Sequence, residues 1–396
     1  MTGADPVAGP VASVVSGSVW EHIRAGRSPQ PTLLREVAGA DVARLGAGGV
    51  ESTVDALRVR LLGAGPLEEF LDDELVTDVA VNGDGSVWVD RGCGLAPVGD
   101  LDGGPPAVRQ LAVRLAGLTG RRLDASAPFV DGQLPSGVRL HAILPPLVAG
   151  GAHVTLRVPA RSVIPLPVLG ESGMFPPSWG PVLRALVERR VAFVVSGGTG
   201  AGKTTLLGSL LSLIGEDERL VVVEDVRELR VAHPHVVRLE ARPPNVEGAG
   251  EVTLTSLVRQ ALRMRPDRLI LGEVRGAEVR ELLSALNTGH EGGCGTVHAN
   301  TASDVVARFE ALGALADLSR SAVHAQLASA VEAVVHVRRD VVGGRVQRTI
   351  ESVGVLSVRA DGRPEVQDAL VFRGGRETRG AGWPALAERL GAEVSW

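Results

Sequence analysis

The sequence predicts an α/β protein, with a parallel sheet covered by helices and a smaller α+β domain before it. Three observations on the 396-residue chain support this class. From Val182 onward, apolar strand-like segments alternate with helix-like segments, as expected for a parallel sheet. A glycine-rich loop joins the first of these strands to its helix. Before Val182 the order is mixed, with a hairpin pattern, an amphipathic helix and further strands.

Changes in composition along the chain predict its domains. The predicted organisation is an N-terminal extension that is partly helical or flexible (1–65), an α+β domain (66–158), a linker (159–181), an α/β domain (182–360) and a C-terminal tail (361–396). The α+β domain contains a hairpin around the turn Asn82–Gly85, then the helix Ala107–Gly117 and the strand His153–Val158. Many Pro and Gly residues indicate the linker. The extension and the tail show no recognisable chemistry.

The α/β domain alternates strands with helices. The predicted strands are Ala192–Val195, Leu220–Val223, Val236–Leu239, Leu269–Leu271 and Gly295–His298. The predicted helices are Lys203–Ile214, Leu254–Met264, Ala277–Asn287, Ala302–Leu312 and Ala322–Val331, followed by a strand pair near 334–338 and 346–358. Open sheets of this class bind ligands at the carboxyl ends of their strands. Polar residues that follow each strand are therefore candidates for a binding site.

The loop after the first strand has the Gly-x4-Gly-Lys-Thr pattern of a phosphate-binding P-loop. Its glycines let backbone N–H groups surround phosphate oxygens, and the following helix N-terminus adds partial positive charge. Lys203 can reach the β- and γ-phosphates, and the Thr204 hydroxyl can hold Mg²⁺. The predicted nucleotide-binding residues are Gly197, Gly198, Thr199, Gly200, Ala201, Gly202, Lys203, Thr204 and Thr205. The alternative, a glycine-rich turn with an incidental lysine, is disfavoured by the strand and helix on either side.

Lys203 is the only lysine of the chain, since every other one of the 41 Lys and Arg residues is Arg. The chain also contains no Tyr, and a scarcity of both Lys and Tyr is typical of a GC-rich coding sequence. Arg can replace Lys on a solvated surface, but it cannot replace a compact ammonium group in a phosphate pocket. The single lysine therefore indicates a functional role on internal evidence alone.

Acidic residues follow two further apolar strands. Glu224 and Asp225 come directly after Val221–Val223, and Glu273 follows Leu269–Leu271 and one glycine. The second arrangement is a Walker B pattern, in which Glu273 can polarise the attacking water and hold Mg²⁺, partly through water. Glu224 can assist that base. Each acid alone could be an ordinary solvated strand end, but the nearby P-loop favours a catalytic role for both.

Histidines surround the next strand. His290 lies within Gly289–Gly293 and His298 within Thr296–Asn300. We expect His298 to hydrogen-bond the γ-phosphate of a bound nucleotide. The two histidines, with Glu291 between them, could also suggest zinc, but the glycines between them and the absence of helical i, i+4 spacing argue against it. His298 is therefore predicted to sense the γ-phosphate.

Composition limits the environment and the partners. A net charge of −5 gives no basic field for nucleic acid or anionic membranes. No run of about 18 apolar residues predicts a membrane span, and Met1–Pro10 lacks the pattern of a signal peptide. Cys93 and Cys294 lack metal-type spacing, which favours two free thiols in a reducing compartment. A cytoplasmic protein is therefore expected.

Three stretches of the α/β domain are specific enough to indicate a family. They are LRMRPDRLILGEVRG at Leu262–Gly276, the following LSALNTGHEGG, and TVHAN at Thr296–Asn300. Together with ELVTDVAVNG in the α+β domain, they resemble the type II/IV secretion-system ATPase superfamily, most closely its tight-adherence (Flp-type) pilus assembly and conjugal-transfer branch. The resemblance runs from about Leu75 to Val358. It implies a RecA-like P-loop NTPase domain preceded by a smaller PAS-like α+β domain.

The resemblance also implies roles for particular residues. Glu224–Asp225 matches the family's Asp box, and Gly295–Asn300 matches its His box. Members act as hexameric rings with ATP between the two domains, and arginines of the N-terminal domain contact the nucleotide. The matching positions here are Arg139 and Arg157, with Arg122 a weaker match.

The resulting hypothesis is an oligomeric Mg²⁺-dependent ATPase that powers pilus assembly or protein secretion. Its expected cofactors are ATP and Mg²⁺, and its expected partners are its own copies in a hexameric ring and an inner-membrane platform protein, without direct nucleic acid. The expected location is cytoplasmic, peripheral at the inner face of the membrane. The predicted catalytic residues are Glu273, Glu224, Lys203, His298, Arg139 and Arg157. Gly295 replaces the family's usual Ser or Thr, and Ser136 a common Asp.

Two functions of other classes remain open at this point. A nucleic-acid motor on the same RecA-like core would need a basic, aromatic-lined groove, whereas aromatic residues make up 3% of this chain. A scaffold that binds ATP without hydrolysing it would not need both Glu273 and His298. Stimulation by DNA and release of phosphate are the observations that distinguish these alternatives.

Overall fold

The chain forms two compact units, which divide between Pro159 and Ala160. The computed structural model describes residues 31–40, 54, 63–159, 161–244, 248–289, 291–343 and 345–391. Most of the predicted extension 1–65 lies outside the described residues, and so does His290. Within the described ranges, every helix is too short or too polar to cross a bilayer.

The first unit is a six-stranded antiparallel sheet with one long helix. Its helices are α1 (Pro31–Ala40), α2 (Glu68–Asp72) and α3 (Gly104–Leu118), and its strands are β1 (Asp78–Val81), β2 (Ser86–Asp90), β3 (Leu95–Asp100), β4 (Phe129–Gln133), β5 (Arg139–Ile143) and β6 (His153–Arg157). The strand order is β3-β2-β1-β6-β5-β4. Burial alternates along β1, β2 and β6 because successive side chains point to opposite faces. Apolar side chains therefore form a core on one face with α3, while the other face carries charged residues such as Asp78 and Arg157 beside apolar ones such as Trp88.

The second unit is a nine-stranded sheet with helices. Its helices are α4 (Leu166–Glu171), α5 (Gly180–Glu188), α6 (Lys203–Leu211), α7 (Leu254–Ala261), α8 (Val279–Leu286), α9 (Asp304–Leu315), α10 (Arg320–Ala330) and α11 (Trp383–Leu390). Its strands are β7 (Phe193–Gly197), β8 (Leu220–Glu224), β9 (Val236–Glu240), β10 (Arg268–Val274), β11 (Cys294–His298), β12 (Ala333–Val342), β13 (Arg345–Val358), β14 (Pro364–Arg373) and β15 (Arg376–Arg379). The order is β15-β14-β13-β12-β7-β11-β10-β8-β9.

The central strands of this sheet are apolar at successive positions because both faces are covered. Val194 packs in one apolar cluster and its neighbour Val195 in the other. Ile270 likewise faces the side opposite to Leu269 and Leu271. Pairing is parallel from β12 through β9 and antiparallel from β12 to β15. A parallel core thus continues into an antiparallel edge.

The elements predicted for the α/β domain are confirmed, with ends that shift by a few residues. Helix α7 begins after Thr253, whose side chain accepts a hydrogen bond from the Ser256 N–H, and α10 begins after Ser319 in the same way. The structure differs from the prediction on either side of this domain. Helix α4 lies within the stretch predicted as a linker, and β14, β15 and α11 lie within the predicted tail.

The parallel pairing determines which strand ends meet. Gly197 at the end of β7 has His298 of β11 as its partner on one side and Val337 of β12 on the other. Strand β10 lies between β11 and β8. The carboxyl ends of β11, β10 and β8 therefore lie at the same edge of the sheet as the glycine-rich loop that follows β7, and β12 runs past this edge on the other side of β7.

Candidate functional site

The loop between β7 and α6 depends on glycine at defined positions. Gly200 and Gly202 have φ angles of +68° and +95°, in the left-handed region that favours glycine. A Cβ on Gly197 would lie 2.2 Å from the Val337 carbonyl oxygen of β12. Gly198, Thr199 and Gly200 are exposed at the tip of the loop. The loop thus presents its backbone at the sheet edge and ends at the first turn of α6.

Lys203 points back over this loop. Its Nζ donates to the Gly197 carbonyl at 3.0 Å and to the Gly198 carbonyl at 2.9 Å. The residue is only 7% exposed, and burial lowers the Lys203 pKa while the nearby Glu273 opposes that shift. The predicted P-loop lysine therefore lies at the mouth of the loop, where its ammonium group bridges backbone carbonyls. Thr204 and Thr205 follow in the first turn of α6, half-buried.

His298 joins Lys203 to Glu273. Its Nε2 lies 2.8 Å from Glu273 Oε1, and Lys203 Nζ lies 3.4 Å from Nε2 and 3.5 Å from Nδ1. Burial and the Lys203 charge lower the His298 pKa, against the attraction of Glu273. These contacts fit a neutral imidazole that donates from Nε2 to Glu273, with the Lys203 ammonium group beside the ring at nearly equal distances from its two nitrogens. The structure therefore brings together three predicted site residues from three separate segments.

Arg275 is a site residue that the sequence analysis missed. Its Nε and Nη2 donate to Glu273 Oε2 at 2.9 and 2.6 Å, and its Nη1 donates to Asp225 Oδ2 at 2.7 Å. Glu273 thus accepts from His298 through one oxygen and from Arg275 through the other. The signal was available, because Arg275 lies two residues after Glu273 in an extended segment and so on the same face.

Glu224 lies in a buried pocket next to the Walker B strand. Its Oε1 accepts from the backbone N–H groups of Glu228 and Leu229 at 3.0 and 2.7 Å. Its Oε2 is buried and has no hydrogen-bond partner among the described residues. Burial raises the Glu224 pKa despite the two N–H donors. A Cβ on Gly272 would lie 2.6 Å from Glu224 Cγ, so glycine before Glu273 lets the two strands' acids approach.

Strand β11 packs closely against β10 near its carboxyl end, much as the glycine-rich loop packs against β12. Thr296 Oγ1 donates to the Gly272 carbonyl at 2.7 Å, which fixes β11 against the residue before Glu273. A Cβ on Gly295 would lie 2.8 Å from the Leu271 carbonyl oxygen. Glycine at position 295, where the sequence departs from the family's usual Ser or Thr, therefore matches a close backbone approach here.

A second cluster of polar side chains lies next to the strand that precedes the glycine-rich loop. Ser196 Oγ is 2.9 Å from His336 Nδ1, and both side chains are buried. Glu351 Oε2 is 3.9 Å from His336 Nε2, and Glu351 Oε1 accepts from Arg338 at 3.2 Å and from Arg373 at 2.8 Å. This network joins β7 to β12, β13 and β14.

Arg139 and Arg157, the predicted arginines of the first unit, are adjacent there. They are direct cross-strand partners on β5 and β6, with Asp78 next in the same row on β1. Arg157 Nε donates to Asp78 Oδ1 at 3.0 Å. The weaker candidate Arg122 pairs with Asp124 instead. Arg139 and Arg157 therefore lie side by side on one face of this sheet, with Asp78 paired to Arg157 in the same row.

The donor set fits a magnesium nucleotide. A loop of backbone N–H groups, a lysine and a hydroxyl at a helix N-terminus are the groups that hold phosphates and Mg²⁺. Carboxylates at neighbouring strand ends supply the oxygen ligands and proton acceptors that Mg²⁺-dependent phosphoryl transfer uses. The buried Glu224 Oε2 without a partner is consistent with a group that acts on a ligand.

Comparison with known proteins identifies relatives over most of the chain. A family model described as "Type II/IV secretion system protein" matches residues 60–372. A putative conjugal transfer protein of Mycobacterium tuberculosis is 50% identical over 338 residues, 84% of this chain and 94% of its own length. A probable conjugal transfer protein TrbB of Sinorhizobium fredii is 32% identical over 302 residues, 75% of this chain and 88% of its own.

A solved structure supports the fold. The pilus retraction motor PilT with bound ADP aligns with a TM-score of 0.51 and 20% identity, over 72% of this chain and 80% of the PilT chain. At that identity the similarity concerns the mixed α/β fold alone. The family match and the 50% identical relative cover far more than half of the chain, so this chain belongs to the type II/IV secretion system protein family.

Proposed function

We propose that this protein is a Mg²⁺-dependent ATPase that drives pilus assembly or protein secretion. The observation that carries the proposal is the chain of contacts from Lys203 Nζ through His298 to Glu273, at the mouth of a P-loop. It supports the proposal because a phosphate-binding cation, a ring that can donate a hydrogen bond and a carboxylate lie close enough together to act on one γ-phosphate. The second unit is accordingly proposed as a RecA-like P-loop NTPase domain and the first as a PAS-like domain.

Each residue has a defined task in the proposed reaction. The backbone from Gly197 to Gly202 binds the phosphate chain, and Lys203 exchanges its two carbonyl acceptors for phosphate oxygens. Thr204 and Glu273 hold Mg²⁺, partly through water, and bound Mg²⁺ supplies positive charge against the phosphate oxygens. Because phosphoryl transfer needs positioning and charge stabilisation, Glu273 orients the attacking water and takes its proton.

Two further residues assist that step. The raised pKa of Glu224 suits a buried carboxylate that takes up a proton from Glu273 or from water. A neutral His298 donates a hydrogen bond, first to Glu273 and then to the γ-phosphate, and so reports that the phosphate is present. Arg275 must release Glu273 Oε2 before that oxygen can accept a proton, so its two hydrogen bonds define a resting arrangement.

The proposal extends to assembly and partners. Arg139 and Arg157 supply positive charge to the transferring phosphoryl group, the role that arginine has in many such reactions. The active form is a homo-oligomer, with a hexameric ring expected, that works on the cytoplasmic face of the membrane with an inner-membrane platform protein. The related proteins named for conjugal transfer support a role in moving macromolecules rather than in metabolism.

Phosphate release at defined Mg²⁺ concentration tests the proposal. The wild type should hydrolyse ATP only with Mg²⁺. Lys203→Ala should lose nucleotide binding, and Glu273→Gln should bind ATP while turnover falls by at least about 100-fold. Glu388→Gln, at an exposed acid of α11, is the matched control and should keep full activity.

Three results would contradict the proposal. Unchanged turnover in Lys203→Ala or Glu273→Gln would remove the assigned roles. ATP binding without any hydrolysis by the wild type would indicate a scaffold. Turnover that depends on added DNA would indicate a nucleic-acid motor.

A further inference from the structure

The hairpin between β12 and β13 extends beyond the sheet next to the P-loop. Strand β12 pairs with β7 only as far as Val337, opposite Gly197, and then continues to Val342. Strand β13 returns antiparallel from Arg345. We name residues 338–342 and 345–349 the hairpin arm. It forms one side of the loop, and His298 at the end of β11 forms the other.

One face of the hairpin arm carries two arginines toward the loop. Arg339 and Arg348 are direct cross-strand partners, so their side chains share a face. Arg348 Nε donates to the Gly200 carbonyl at 3.0 Å. A Cβ on Gly202 would lie 3.4 Å from Arg348 Cδ, and one on Gly200 would lie 3.8 Å from Arg339 Cδ. Arg338 belongs to the other face, where it pairs with Asp340 and Glu351.

The hydrogen bond from Arg348 fixes the direction of one peptide unit. In a trans peptide the C=O and N–H groups point to opposite sides. With the Gly200 carbonyl directed outward to Arg348, the Ala201 N–H is directed away from the hairpin arm, and it lies 3.4 Å from the Gly198 carbonyl. Lys203 Nζ donates to that same Gly198 oxygen. Two donors of the loop therefore converge on one acceptor, as they would on a phosphate oxygen.

We propose that Arg348 is a positioning residue of the phosphate site, acting through the Gly200–Ala201 peptide. It keeps the Gly200 carbonyl away from the phosphates, where that oxygen would repel them, and keeps the Ala201 N–H directed toward them. The charged donor also polarises the peptide, which strengthens the N–H as a donor on the opposite side. This inference rests on the proposed function, since it requires that the loop binds the phosphates of a nucleotide.

Binding of ADP with Mg²⁺ tests this role without depending on turnover. Arg348→Met should weaken ADP binding about tenfold, the usual effect of losing a hydrogen bond from a charged group. Arg348→Lys keeps a cationic donor and should recover part of the affinity. Arg339→Met is the matched control, because it removes the same charge from the same face. Among the described residues Arg339 donates no hydrogen bond to the loop, so this variant should bind ADP within about threefold of wild type.

Steady-state kinetics separates positioning from a merely structural effect. The Ala201 N–H binds phosphate in the ground state and the transition state alike, so Arg348→Met should raise KM for ATP about tenfold and leave kcat within about twofold. The melting temperature should stay within about 2 °C of wild type, since the lost bond lies at a half-buried surface. If Arg348→Met is too unstable to purify, Arg348→Gln is the substitute.

The outcomes distinguish this inference from the proposed function. If Lys203→Ala abolishes ADP binding while Arg348→Met binds ADP like wild type, the role of Arg348 is refuted and the proposed function stands. Equal losses in Arg348→Met and Arg339→Met would also refute it, since charge alone would then explain both. If Lys203→Ala binds ADP normally, the proposed function itself fails.

Discussion

Gly197 and Gly198 are neighbours in the glycine-rich loop with different structural requirements. Gly197 has a φ of +153°, and a Cβ there would lie 2.2 Å from the Val337 carbonyl oxygen. A Cβ on Gly198 would meet no atom within 4 Å. An added methyl group would thus clash with the backbone of β12 at position 197 but would lie in open space at position 198.

The pair gives a matched test of the loop. Gly197→Ala should lower the free energy of unfolding by about 2 kcal/mol or more, because β7 and β12 must separate or the backbone must leave its conformation. Gly198→Ala should change it by less than about 1 kcal/mol. Urea denaturation of both variants measures the difference. Equal effects would mean that the close approach of β12 does not constrain the loop.

His336 gives the stability a pH dependence. It is 2% exposed, and burial lowers its pKa against the attraction of Glu351, Asp368 and Asp304 and a hydrogen bond involving the Asn300 backbone. The unfolded chain has the ordinary His pKa of about 6.5, so below that pH it binds more protons than the folded chain. The contribution that neutral His336 makes to the free energy of unfolding is therefore complete above about pH 6.5. It is lost as the pH falls from about 6.5 toward the lowered pKa of the folded chain.

We therefore expect the free energy of unfolding to fall between pH 7 and pH 5 and to fall less steeply in His336→Gln. The lowered pKa of His298 adds a contribution of the same sign, which remains in the variant. Carboxyl groups titrate in both proteins, so the comparison of slopes isolates His336. Parallel curves for the two proteins, measured in urea at pH 7, 6 and 5, would contradict the expectation.

At the scale of elements, the strands of the parallel sheet could be predicted and their partners could not. Runs such as Leu269–Leu271 are apolar at every position because both faces are buried, and that pattern is visible in the sequence. Strand β14 is only partly buried along most of its length and is stabilised by pairing with β13. No local pattern reveals such pairing, so the stretch was predicted as a tail.

The same limit applies to the site. Lys203, Glu224, Glu273 and His298 follow or end predicted strands, so the rule that ligands bind at strand ends was sufficient to predict that they lie at one edge of the sheet. Arg348 contacts Gly200, which lies 148 positions earlier in the sequence. The contact forms because the β12–β13 hairpin extends beyond the point at which β12 stops pairing with β7. Such contacts depend on register, which the sequence alone did not reveal.

A buried ion pair joins elements at the start of β10. Arg268 is 2% exposed and donates to Glu218 Oε2 at 2.7 Å, to the Val187 carbonyl at 2.9 Å and to the Gly292 carbonyl at 3.3 Å. It thus links β10 to α5, to the segment before β8 and to the segment before β11. Removing it would leave the Val187 and Gly292 carbonyls without this donor, and the Glu218 carboxylate would keep only Arg190, whose Nη2 lies 3.0 Å from Oε2.

Arg268→Met should therefore lower the free energy of unfolding by about 3 kcal/mol or more. Arg259→Met removes an arginine of the same unit from an exposed pair, in which Nη2 lies 2.7 Å from Glu281 Oε1 and the arginine side chain is 61% exposed. This control should lose less than about 1 kcal/mol. Chemical denaturation compares the two, and similar losses would mean that Arg268 does not hold these elements together.

At the scale of the molecule, the two units have separate cores. The apolar cluster of the first unit contains residues from Ala64 to Leu156, and the two clusters of the second contain residues from Leu166 to Leu390. The proposed phosphate site lies wholly within the second unit, whereas Arg139 and Arg157 belong to the first. ADP binding should therefore depend on the second unit alone, whereas ATP turnover should depend on both units.

A fragment of residues 160–396 tests that division. It should unfold cooperatively and bind ADP within about threefold of the full chain, because its cores and the proposed phosphate-binding loop lie entirely within it. Its ATP turnover should fall about 1000-fold, the usual effect of losing arginines that stabilise a transferring phosphoryl group. The full chain with Arg139→Ala and Arg157→Ala is the matched variant, and it should show the same loss of turnover with ADP binding retained. Full turnover by the fragment would exclude both arginines from the reaction, whereas loss in the fragment but not in the double variant would assign the effect to other residues of the first unit.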